Sequence, residues 1–171
     1  VVLATHADQA LALLSDADAR ERECLGAFGY SRNLAVLHSD PDLMPKRSQV
    51  WASWNYLGSS RPEHGTAPLC VTYWMNRLQP LATTQDLFVT LNPVRPPRNG
   101  TLIRSQVYEH PIFDAAALTA QETLWDMQGG RNTWFCGAWT GYGFHEDGLK
   151  SGLAVARQLA PLLQAPQRLA A

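Results

Sequence analysis

The stretch from Trp134 to Ala156 reads WFCGAWTGYGFHEDGLKSGLAVA and concentrates the residue types that can handle a ligand. A short apolar strand feeds Gly137, Gly141 and Gly143, then the acidic pair Glu146 and Asp147, then an amphipathic helix. Glycine permits positive φ and lets backbone approach a bound group closely. A helix start offers unpaired N–H groups and a partial positive charge, a setting for an anion or a dipole. Gly148, Gly152 and Ala156 are four apart and form a smooth strip that would lie close against a strand or a flat ligand. Asp147 also reads as a plain helix cap. The dinucleotide fingerprint GxGxxG is not met: Gly141 and Gly143 fit, but the third glycine, Gly148, comes two residues late, and no second strand follows. A glycine-rich strand-to-helix turn serves ligand binding and tight packing equally well. His145 beside Glu146 and Asp147 does not make a metal set, because adjacent side chains point apart and no second histidine is near, so no metal is expected. Lys46 and Lys150 sit on no catalytic pattern, and no catalytic residue is assigned.

The elements around this stretch follow from periodicity. Val1–Ala4 is a short apolar run, read as a buried strand, and Ala7–Leu14 follows as a helix with Ala7, Ala10, Leu11 and Leu14 on one face. Asp16–Glu23 is polar and expected at the surface. Strands are expected at Tyr30–His38, Val50–Leu57, Cys70–Leu78, Leu87–Asn92 and Thr101–Tyr108, with a Gly/Ser/Pro loop at 58–68 and His38–Asp40 as a strand end and turn. Short turns between them argue for an antiparallel sheet. Aromatic residues recur along it (Trp51, Trp54, Tyr56, Tyr73, Trp74), a pattern that burial favours as sheet core over a substrate cage. The period then returns to helix at Ala115–Met127, strand at Thr133–Cys136 and helix at Leu149–Leu163, the last with a stripe of Leu149, Leu153, Ala156, Leu159 and Leu163. Pro161 is expected to end or kink that helix near Ala160. The chain leaves one architecture and returns to it, the layout of two interleaved domains.

Composition narrows the function classes. The 171 residues carry 14 basic and 15 acidic side chains, a net charge of −1, which gives no strong electrostatic drive toward nucleic acid or anionic membrane beyond what a local patch could supply. Charged residues are 17% of the chain, below the roughly 25% of an ordinary soluble domain, so either Ser, Thr, Gln and Asn make up much of the polar surface or part of the surface is expected to be covered. Cys24, Cys70 and Cys136 are odd in number and lack CxxC spacing, which fits a reducing cytoplasm. No signal peptide pattern and no apolar run of membrane-spanning length is present, so stable membrane insertion is not expected. Val1 opens the chain inside an apolar run, and the sequence is expected to be a fragment of a longer chain.

The strand–Gly–turn–acid–Gly–helix segment resembles the C-terminal flavin-binding motif of FAD-dependent amine oxidases and their phytoene desaturase-type and renalase-type relatives. The matching elements are Phe135–Gly137, Asp147–Gly148–Leu149 and Ser151–Gly152. Val1–Val2–Leu3–Ala4–Thr5–His6 is similar to the V-V-x-A-T-P strand that precedes their substrate domain, and GYGFHEDGLKSG looks closest to bacterial predicted NAD/FAD-binding proteins of that superfamily. The resemblance implies a mixed α/β fold: the C-terminal part of a Rossmann-type FAD-binding domain plus an antiparallel-sheet substrate domain. It divides the chain into residues 1–22 (returning strand and helix), 23–112 (β-rich substrate domain) and 113–171 (FAD-binding segment). It implies FAD as cofactor, held by Gly137, Ala138, Trp139, Thr140, Gly143, Phe144, His145, Glu146, Asp147, Gly148, Leu149 and Gly152. Tyr142, Trp54, Tyr56 and Tyr73 are the implied substrate-facing residues, toward an apolar or amine small molecule. A flavin accepts hydride and gathers negative charge, which the helix start at Gly148–Leu149 is expected to stabilise. Ala138 stands where many relatives have an acid facing the ribityl chain, leaving such contacts to backbone, Thr140 or His145. The N-terminal GxGxxG unit is absent, so the N-terminal half of the same chain is the implied partner, and the isolated chain is expected to be inactive and to bind FAD weakly or not at all. A desaturase or isomerase using the same flavin, and a flavin-free β-rich binding module, are the alternatives.

Overall fold

The computed structural model describes residues 1–58 and 70–164, so most of the expected 58–68 loop lies outside the described residues. Two compact units emerge: Val1–Ser31 with His110–Ala171, and Arg32–Glu109. The expected boundary at residue 22 falls inside a helix, Ala19–Gly26, that belongs to the first unit.

The first unit is built on two short parallel strands, β1 (Val2–Leu3) and β7 (Trp134–Phe135), in the register Val2 with Trp134 and Leu3 with Phe135. Gln128 closes the other edge of β7 as a strand would: its side chain accepts from Phe135 N at 2.8 Å and donates to Phe135 O at 2.6 Å. Helices α1 (Ala7–Leu13), α2 (Ala19–Gly26) and α4 (Ala115–Met127) enclose a core of Ala7, Ala10, Cys24, Leu25, Phe28, Ala117, Ala120, Leu124, Met127, Phe135 and Trp139. Their starts are fixed locally: Asp18 accepts from Glu21 N, Asp114 from Ala117 N, and the Tyr30 hydroxyl from Ala7 N. Burial pushes the Tyr30 hydroxyl up to about 12, keeping it neutral in this role. The stretch expected to be polar surface is α2, and its Glu21 is buried because Arg131 reaches it at 3.0 Å. Arg131 also binds Asp16 through carbonyl and carboxylate.

The last helix, α5, spans His145–Gln164 and carries Pro161 inside it. Its buried side shares only Leu159 with the described part of the leucine stripe. Ser151 and Val155 are buried and Leu159 packs on Trp134 and Cys136, while Leu149 and Leu153 are 57% and 46% exposed.

The second unit holds most of a five-stranded sheet ordered β3-β4-β5-β2-β6, with β2 Tyr30–His38, β3 Trp54–Leu57, β4 Cys70–Trp74, β5 Phe88–Leu91 and β6 Leu102–Pro111. The β3–β4, β4–β5 and β5–β2 pairs are antiparallel. The expected strand Cys70–Leu78 stops at Trp74, where one helical turn, α3 (Met75–Leu78), begins. One face of the sheet is inward and carries Asn55, Thr72, Thr90, Val36, Phe88 and His38 under Leu43, Met44 and Trp51. The aromatics of β3 are on the other face: Trp54 and Tyr56 are 65% and 64% exposed, and the residue between them, Asn55, is the buried one. The expectation that these rings form sheet core is corrected on that point.

His38 and Asp40 are more than a strand end and turn. Both are fully buried. Asp40 N donates to His38 Nδ1 at 3.1 Å, so the ring's proton sits on Nε2, 2.7 Å from Thr90 Oγ1. Thr90 passes its hydroxyl proton to Thr72 Oγ1 at 2.8 Å, and Thr72 donates to Leu43 O at 3.2 Å. The Asp40 carboxylate accepts from Arg98 N and Nε, Arg95 Nη1 and Asp42 N, all within 3.0 Å. Burial by itself would raise the Asp40 pKa, but the backbone donors Arg98 and Asp42 and the Arg95 guanidinium outweigh it and hold the carboxyl at about 2. Burial pushes His38 down, keeping it neutral.

Two outcomes follow for stability. Asp40→Asn leaves two arginines facing a neutral amide, and a loss of about 3 kcal/mol is expected, at the low end for breaking a buried pair because the arginines remain half in water. Urea unfolding at neutral pH measures it. Both shifts are downward, so the unfolded chain binds protons first as pH falls. The His38 contribution fades below its ordinary value of 6.5, and the Asp40 contribution is lost between 3.8 and about 2. The lower step is expected to vanish in Asp40→Asn; a variant that retains it would show that Asp40 is not its source.

Candidate functional site

The glycine-rich stretch leaves β7 at Gly137, whose φ of +154° is a glycine conformation; a Cβ there would meet Trp139 Nε1 at 2.6 Å. Trp139 lies in a 3-10 turn, Ala138–Thr140, and its indole donates to Thr5 O at 2.9 Å. That bond joins the turn to the segment just after β1. Ser151, buried on α5, accepts from Gly137 N at 3.0 Å and lies within bonding distance of Gly137 O and Gly148 O. Gln121 of α4 donates to Trp139 O at 2.8 Å and Gly141 O at 2.6 Å. The turn is therefore held from three sides by the protein's own groups.

Helix α5 begins at His145, earlier than the expected Leu149. Gly148 N donates to Phe144 O at 3.2 Å, so Gly148 and Leu149 are inside the helix and do not present its free end. Asp147 accepts from Tyr142 N and Phe144 N, both at 3.0 Å, which is its capping role displaced onto the preceding loop. This contact is close: a Cβ on Gly141 would collide with Asp147 Cγ at 2.6 Å. With Glu146 and Asp147 in the first turn, the positive end of the helix is already met by two carboxylates. The charge stabilisation expected at Gly148–Leu149 has no free N–H there to supply it.

The expected cofactor residues divide accordingly. Trp139 is 2% exposed and its ring packs on Phe28 at 4.7 Å, so its side chain belongs to the core. Thr140 donates its hydroxyl to Gly137 O at 2.9 Å and Asp147 is committed to the loop. Glu146 faces Lys150 at 3.8 Å. Ala138, Gly148 and Gly152 remain partly open, and Gly143, Phe144, His145 and Leu149 are exposed. Tyr142 belongs to this unit, is exposed, and meets the Phe113 ring edge-on at 6.3 Å. Trp54, Tyr56 and Tyr73 belong to the other unit, where Trp54 stacks on Tyr73 at 6.3 Å. Gln121, Gln128 and Arg131 were not singled out by residue type; the signal for Gln121 was its place on the buried face of α4 between Ala117 and Leu124.

Whether these residues fit a flavin turns on the small strip of α5. A Cβ on Gly152 would meet nothing within 4 Å, and one on Gly148 would meet only Ala138, at 3.7 Å and beyond. A flat group has room there against backbone. The side-chain donors nearby are already spent, so the segment fits a group held by backbone approach and apolar contact. Among the described residues no cluster of three or more His, Cys, Asp or Glu could hold a metal, and no helix is long and apolar enough to cross a membrane.

No family model and no curated protein matches the chain significantly. Among solved structures, it is similar to the CLA-producing fatty acid isomerase from P. acnes, with a TM-score of 0.57 and 20% sequence identity. The match covers 91% of this chain and 40% of the isomerase, so the chain spans well under half the length of that enzyme. At this identity the likeness establishes the fold: a mixed α/β arrangement with a parallel pair and an antiparallel sheet, shared with part of an enzyme.

Two substitutions test the turn. Ser151→Ala removes the partner of the Gly137 N–H and is expected to cost about 1–2 kcal/mol, read as a lowered Tm. Asp147→Ala is expected to speed hydrogen exchange at the Tyr142 and Phe144 amides while leaving Phe135 protected.

Proposed function

We propose that the chain is the C-terminal part of an FAD-dependent oxidoreductase of the amine oxidase superfamily, working with an N-terminal half of the same protein. The observation that carries this reading is the β7–Gly137 turn, pinned by Ser151 and Gln121, beside the open strip of Gly148 and Gly152. It is the feature on which the sequence resemblance rests. When bound, FAD would supply hydride transfer at a C–N or C–C bond, with the protein contributing position and environment. Gly137, Ala138, Gly148 and Gly152 would admit the cofactor close to backbone. Tyr142, Phe144 and Leu149, all exposed, would exclude water around it. Lys150 is occupied with Glu146, and no side chain here is given a proton-transfer role.

A second reading within the same class is a flavin-dependent isomerase or desaturase acting on a carbon chain. It is favoured by the fold shared with the fatty acid isomerase over 91% of this chain. In either case the substrate is a small molecule and the working place is the cytoplasm.

The test is the visible spectrum of the longest protein encoded by the reading frame that contains this chain. A flavin spectrum, or its appearance on adding FAD, is expected; its absence in both cases would leave a flavin-free binding module. In that protein, Gly152→Leu is expected to cut flavin occupancy at least tenfold without unfolding. Gly152→Ala is expected to raise stability by about 0.8–1 kcal/mol, because an open helical glycine gains from a Cβ. Unchanged occupancy in Gly152→Leu would remove the strip from the cofactor site.

A further inference from the structure

The outer face of the second unit's sheet has a continuous apolar order. Antiparallel register places Trp54 beside Tyr73, Tyr73 beside Val89, and Val89 beside Leu37, so the four side chains form one row across β3, β4, β5 and β2. Tyr73, Val89 and Leu37 are half-buried and Trp54 is exposed. The opposite face is closed by Leu43, Met44 and Trp51, so the two faces of one sheet differ sharply.

At the β6 end this row meets a concavity of about 260 Å³ lined by Ala35, Leu37, Val89, Arg104, Gln106 and Tyr108. Ala35, Leu37 and Val89 form its apolar side, and Arg104, Gln106 and Tyr108 of β6 bring polar groups to the other. Arg104 is the charged group among the lining residues, and no described carboxylate is bonded to it. A guanidinium beside the apolar side chains Leu37 and Val89, with no acid in the lining, is complementary to a ligand with an anionic head and an apolar body. The volume lies just below the usual range for drug-sized ligands, about 300–1,000 Å³, so it suits a head group and a chain segment better than a fused-ring molecule.

We infer that this groove binds an aliphatic carboxylate, with the carboxylate on Arg104 and the chain laid over Val89 and Leu37 toward Tyr73. Arginine meets a carboxylate with two parallel N–H donors, which selects it over a neutral head. The binding step stands apart from the flavin reading, since every residue named lies in the second unit. That the ligand is also the substrate rests on that reading.

The test uses the chain of 171 residues. Laurate below its micelle concentration and dodecanol are titrated by calorimetry, and contacts are read from amide shifts of Leu37, Val89 and Arg104. Saturable laurate binding is expected, at least tenfold tighter than dodecanol. Arg104→Gln, on an exposed strand, is expected to bring laurate down to the affinity of dodecanol and leave dodecanol unchanged. Val89→Glu is expected to abolish both while keeping the wild-type circular dichroism; should it not fold, Tyr108→Ala takes its place, with an expected threefold or larger loss for both ligands. Absence of saturable laurate binding, equal loss of both ligands in Arg104→Gln, or a concentration-dependent dimer that covers Val89 and excludes laurate would each overturn the proposal. Flavin is scored separately on the longer protein, so laurate binding without flavin sinks only the cofactor reading, and flavin without laurate binding sinks only this one.

Discussion

The parallel pairing of Val2–Leu3 with Trp134–Phe135 is the constraint on which the first unit is organised. It joins residues about 130 positions apart in the chain, so everything between them must leave and return. Two-residue strands contribute few ladder bonds, and the pair is held by groups that are not strands. Gln128 serves β7 as a substitute neighbour, and the Trp139 indole reaches the carbonyl just beyond β1. Arg131, in a left-handed conformation in the turn that leads into β7, ties the same end to Asp16 and to Glu21 of α2. Once this register is set, Gly137 leaves β7 at one place only, and α5 can close over it through Ser151.

That arrangement separates rigidity from access. The backbone of the glycine-rich turn is committed to internal partners, so it has little freedom to adapt to a ligand. The free surface is on α5, where Gly148 and Gly152 lack side chains and the neighbouring apolar residues face outward. A group that bound here would meet a preformed surface and lose little to loop ordering on binding.

Much of this was legible from residue order. The limits of β2 and α4 follow from alternation and from Asp114 before a 3.6-residue period, because local rules and tertiary burial agree there. The glycine-rich turn was legible as a turn. Where local pattern and burial part company, it was not. Helix α2 presents a charged sequence, and its Glu21 is buried only because Arg131 arrives from far along the chain. On α5, periodicity selects Leu149 and Leu153 together with Leu159, yet the inward side is Ser151, Val155 and Leu159, since hydrogen bonding to Gly137 fixes the helix rotation. On β3, hydrophobicity selects Trp54 and Tyr56 as interior, while Asn55 holds that position by bonding Ala52 and Thr72. Glutamines 121 and 128 read as surface amides and act as backbone surrogates. Each miss turns on a polar side chain bonded to a backbone group or charge outside its own helix or strand.

The polar line inside the second unit runs in one sense only, from the Asp40 amide through His38, Thr90 and Thr72 to the Leu43 carbonyl. Every link is both donor and acceptor, and none has a spare partner. Removing one hydroxyl strands a donor on one side and an acceptor on the other, while replacing the whole line by apolar groups strands only its two backbone ends. The positions His38, Thr72 and Thr90 are thus one unit of inheritance: single changes are costly, joint changes are far cheaper, and any lineage or library that varies this sheet will show the three moving together or not at all.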